Sequence, residues 1–109
     1  MSEHSVYAVF GVAIEPPEDY RVLDSALAAQ KPAAELPESE QARVGLFMVG
    51  DNAHVILGTS SKTLEPCELL PASDLAARPA DRKALRHMVE ELRLTVLAGP
   101  DWLLVHDLD

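Results

Sequence analysis

Residues 6–14, Val-Tyr-Ala-Val-Phe-Gly-Val-Ala-Ile, are apolar at both alternating sets of positions. Successive side chains of a strand point to opposite faces. Val6, Ala8, Phe10, Val12 and Ile14 therefore share one face, and Tyr7, Val9 and Ala13 the other. A strand of this kind is buried on both sides, which predicts a central place in a sheet. Glu15-Pro16-Pro17 ends it.

Two further apolar runs, 43–49 and 54–59, flank Gly50-Asp51-Asn52-Ala53, whose residue types tolerate the left-handed backbone of tight turns. They predict a hairpin, again with little alternation: Val44, Leu46 and Met48 are apolar, and so are Phe47 and Val49. A last strand is expected at 102–106. Between the strands, Tyr20, Leu23, Ala26 and Leu27 form an apolar stripe, so residues 17–29 predict an amphipathic helix with Pro17 in its first turn. Leu85, Met88, Val89, Leu92 and Val96 place a longer helix from Pro79 to Ala98, stopped by Gly99-Pro100. Leu94 and Leu97 fall off its apolar arc. The competing reading ends the helix near Arg93 and makes Leu94 to Leu97 a strand of its own, paired with the next one.

The order β-α-β-β-α-β fits an α+β domain, a four-stranded antiparallel sheet with two helices in the split βαβ, ferredoxin-like manner. The whole chain, 1–109, is expected to form one such domain, with an acidic Pro-rich loop over 31–42. Two helices cover one sheet face. The apolar residues on the other face predict a surface that needs a cover, by a homodimer or another protein.

The chain carries 18 acidic and 9 basic residues, a formal net charge of −9. That field repels phosphates, and with few aromatic side chains for base stacking it argues against direct nucleic-acid binding. Solubility explains the acidity most simply; an acidic mimic of DNA is the sharper alternative. A single cysteine, Cys67, excludes an internal disulfide framework. No apolar run reaches the roughly 20 residues of a membrane helix. A start without a basic, then apolar, leader adds to the expectation of a cytoplasmic protein with no membrane partner.

No motif for chemistry withstands inspection. Gly58-Thr59-Ser60-Ser61-Lys62-Thr63 lacks the glycine before lysine and the following helix that a phosphate loop requires. The histidines His4, His54, His87 and His106 lack metal-ligand spacing, so no metal or other cofactor is expected. Cys67 lies between Glu65 and Glu68, carboxylates that disfavour a thiolate. Arg82, Arg86 and Arg93 line one helix edge, read as a solvated face or as a seat for an anion or an acidic loop.

The leading expectation is a non-catalytic, oligomeric protein-binding or regulatory module. Its candidate interface comprises Leu94, Leu97 and Trp102, with Glu35, Glu38 and Glu40 of the acidic loop as a second surface. Trp102 also suits the edge of a core. The alternative is a small enzyme or ligand-binding protein with a pocket at the sheet–helix or subunit interface, using His54 or His106 with a carboxylate.

Overall fold

The computed structural model describes residues 4–38, 41–50, 54–65 and 67–108. Four strands, β1 (His4–Ile14), β2 (Gly45–Val49), β3 (His54–Leu64) and β4 (Val96–Leu108), form one antiparallel sheet in the order β2-β3-β1-β4. Two helices, α1 (Tyr20–Ala28) and α2 (Pro79–Leu92), connect β1 to β2 and β3 to β4. This is the α+β element order the sequence predicts, with β1 central. The middle of the β2–β3 turn, residues 51–53, lies outside the described residues.

Helix α1 starts at Tyr20, not in the first turn Pro17 would offer. Asp19 is the reason: its carboxylate accepts the Arg21 backbone N–H at 2.9 Å, capping the helix there. The Arg21 guanidinium also donates to this carboxylate from Nε and Nη2, and these side-chain bonds first, with the backbone bond second, hold its pKa below the usual value. At the other end, the Gln30 side chain acts as a short strand partner. Its amide N–H donates to Val44 O and its carbonyl accepts Val44 N–H, both at 2.8 Å, locking the helix exit to the approach of β2. Gln30→Ala leaves both backbone groups of Val44 without this partner and is expected to cost about 1–3 kcal/mol. Urea denaturation measures it directly, and an unchanged midpoint would remove the clamp from the account.

Pro79 opens α2, and Asp81 accepts the Arg78 backbone N–H at 2.9 Å. The helix does not run to Ala98. It closes at Leu92, with Arg93 left-handed at φ 54° and Leu94 N–H bonded back to Val89 O. From Val96 onward the chain pairs with β1, Val96 with Ile14 and Ala98 with Ala13. The backbone bonds of the central strand thus claim residues whose helical periodicity was already failing at Leu94. Gly99, at φ 91°, serves as a bend inside β4 instead of a helix stop.

Both helices pack on one sheet face, where Phe10, Val12, Ile14, Val55 and Leu57 meet Leu23, Leu85 and Met88. A second cluster, Val9, Val49, Ile56 and Val105, forms on the other face without any helix residue. These four side chains are buried within the single chain, while Tyr7, Ala13, Phe47 and Leu103 packed against them stay partly exposed, so the face expected to be open is closed in part by the chain itself. Their strand partners explain how. Ile56 pairs with Ala13 and Val105 with Tyr7, positions roughly 20 Å apart along an extended strand. Packing in one cluster requires the long strands to bend toward the helix-free face. The pairing shifts register at Phe10/Gly11 and again at Gly11/Ala13, and bulges of this kind sharpen twist and bend. The bend turns the distal halves of β1 and β4 toward the face that the helices leave open.

Candidate functional site

The bend creates a cleft of about 290 Å³ on the concave, helix-free face. Its wall is apolar: Ala13, Val49, Ile56, Leu103, Leu104 and Val105. His54 opens β3 and His106 lies near the end of β4, yet both line this cleft, and both are exposed at its mouth. The sequence alternative named these two histidines without a means of joining them. The bend brings them to one site.

A second surface follows the outer side of β4. This strand is 13 residues long and has β1 on one side only. It carries exposed Val96, Leu97 at 64% and Leu104 at 80%. Of the residues the sequence offered as an interface, Leu97 stands out in solvent. Leu94 and Trp102 pack against the helix-side core. The Trp102 ring meets Phe10 edge to face with centroids 5.7 Å apart, and the Arg82 guanidinium lies 5.3 Å from the Phe10 ring. Glu35 and Glu38 are exposed in the loop after α1, and Glu40 lies outside the described residues. Sequence reasoning passed over Leu104, because four consecutive apolar residues, 102–105, carry no mark of which one the packing omits.

The remaining candidates do not assemble into a site. His87 pairs with Glu91 at 3.0 Å on the exposed side of α2. Cys67 is exposed. Residues 58–63 are part of the extended strand β3, so no helix N-terminus follows Lys62 to hold a phosphate. Arg82 reaches back to Pro100 O at 3.4 Å, Arg93 forms the helix cap and Arg86 is exposed, which spreads the basic stripe over separate settings. Buried Asp81 serves the start of α2. Among the described residues no group of three or more His, Cys, Asp and Glu could hold a metal ion. No helix among them is long and apolar enough to cross a membrane.

Comparison with protein-family models, curated proteins and solved structures gave no match. Among the described residues, the cleft and the β4 edge are two surfaces that meet at Leu104.

Proposed function

We propose that this chain is a non-catalytic protein-binding module that works as a homodimer, joined through the outer edge of β4. One observation carries the reading: the longest strand is outermost and bears three exposed large apolar side chains, Val96, Leu97 and Leu104. An open edge offers unpaired backbone N–H and C=O groups to any extended segment, and proteins ordinarily blunt such edges with charge, proline or a cover. Here Pro100 interrupts the edge, because it has no N–H to donate. Pairing is therefore assigned to the stretch after it, where Leu104 stands near the middle.

A second copy suits this edge because an antiparallel pair of identical strands closes on itself about a two-fold axis. Backbone hydrogen bonds then provide affinity and the side chains beside them register. The net charge of −9 per chain opposes indiscriminate association. A regulatory role would follow from what the joined sheet presents to a further protein.

Sedimentation at micromolar concentration tests the reading. The wild type is expected at twice the 11.8 kDa chain mass. Leu104→Lys is expected at the single-chain mass with an unchanged circular dichroism spectrum. Leu104 is exposed, so the substitution itself should alter stability by no more than about 0.5 kcal/mol. A wild type that sediments as one chain, or a variant that stays dimeric, sinks the proposal.

A further inference from the structure

We infer that the open half of the outer edge of β3 binds an extended peptide of a partner protein, with an acidic side chain of that peptide seated at Arg43. Pairing with β2 ends where Gly45 meets Gly58, and β3 continues six residues further, to Leu64. Over that stretch β1 flanks it on one side, and among the described residues no strand flanks it on the other. Every second residue of such a stretch turns its N–H and C=O outward, and an added strand in line with β2 can take them up. Six residues at about 3.3 Å each give roughly 20 Å of edge, the length of an ordinary strand.

The side chains along this edge select the occupant. Ser61, Lys62 and Thr63 are exposed, which suits a polar strand. The Lys62 ammonium, a charge that could guard the edge, donates to the Asp74 carbonyl oxygen. Where the edge opens, Arg43, Thr59, Ser60 and Ser61 line a hollow of about 230 Å³. Arg43 is exposed, and among the described residues no hydrogen bond or ion pair engages its guanidinium. Thr59 is the residue that the register shift leaves without a partner on β1, and its hydroxyl is buried without a hydrogen-bond partner. Such a group is uncommon and marks a place where an incoming acceptor gains a bond. A carboxylate fits this set, because its two oxygens match the guanidinium fork and the hydroxyls beside it are further donors. A cationic side chain would meet Arg43 with like charge. The site lies across the sheet from the outer edge of β4 and does not rest on the dimer.

The blocked peptide Thr-Glu-Thr-Val-Thr-Val-Thr and its counterparts with Gln or Lys in place of Glu share one strand-forming body. Each is titrated into the full chain while backbone amide shifts are followed by NMR. The Glu peptide is expected to move the amides of Ser60, Ser61, Thr63 and Leu64 saturably, with a dissociation constant on the order of 1 mM. The Gln peptide is expected to bind about threefold to fivefold more weakly, as the loss of one solvent-facing charge pair implies, and the Lys peptide more weakly still. The Glu peptide N-methylated at every residue has no N–H to give the edge and is expected to lose binding. Arg43→Gln, at an exposed position, is expected to bind the Glu and Gln peptides equally. Absence of saturable shifts over Ser60–Leu64, or shifts confined to β4, overturns the site. Equal binding of the three peptides by the wild type, or a preference for Glu that survives in Arg43→Gln, overturns the acidic partner. Full binding of the N-methylated peptide overturns strand addition. Each outcome is read at β3 whether the chain sediments as one copy or two, so failure here is distinct from failure of the β4 pairing.

Discussion

Gly11→Ala is expected to destabilise the fold by about 4 kcal/mol, at the exceptional end for a point substitution. Gly11 lies in the central strand at the place where its pairing to both neighbours slips. A Cβ atom there would overlap the carbonyl oxygen of Leu57 and stand 2.9 Å from the Gly58 Cα. These are backbone atoms, and no rotamer can move them aside. The strands would have to separate along the line about which the sheet bends, opening the packing of Val9 and Val105 on Ile56. Gly45→Ala provides the contrast on the same sheet. Its new methyl would meet nothing closer than 3.9 Å, so the change is expected to lie within about 0.5 kcal/mol of the wild type. Parallel urea titrations compare the two. A Gly11→Ala protein that melts with the wild type would mean that the strands do not approach at this point, and the bend would lose its cause.

Phe10→Ala is expected to cost about 4 kcal/mol, the usual range for an aromatic deleted from a core. Phe10 is 1% exposed and takes part in three kinds of contact: helix-side packing, the edge-to-face ring of Trp102 and the guanidinium of Arg82. The aromatic pair contributes about 0.5–1.5 kcal/mol beyond area. Phe10→Leu, which keeps most of the volume, is therefore expected to lose only about 1–2 kcal/mol. Trp102 is the only tryptophan and reports the change directly. In Phe10→Ala its emission should shift to the red under native conditions, as water enters beside the indole. A loss below about 1 kcal/mol, outside the range for buried aromatics, would show that this ring does not anchor the core.

Much of the fold was legible because short-range rules govern it. The double-sided apolar pattern of residues 6–14 marked a central strand, and β1 is central. Tyr20, Leu23, Ala26 and Leu27 marked the inner side of α1, and all four pack against the helix-side core. The junction of α2 and β4 was legible only as a conflict, since Leu94 and Leu97 broke the helical arc while Gly99-Pro100 mimicked a helix stop. Backbone pairing with Ile14 and Ala13, partners more than eighty residues away in the chain, resolved it. The candidate site was less accessible still. His54 and His106 were visible as residue types, but their shared cleft depends on a bend that no local pattern reports. Leu104 was one apolar residue among four.

The sequence by itself determined the kinds of element, their order and which strand lies at the centre, because periodicity and turn chemistry act over a few residues. Tertiary structure alone decided where β4 begins, how far the second apolar face is buried and which side chains are left in solvent. Those outcomes depend on close approach between distant backbones, above all where Gly11 and Gly99 let neighbouring strands come too near for a Cβ. A residue's pattern states which face needs burying; only the packed chain states what buries it.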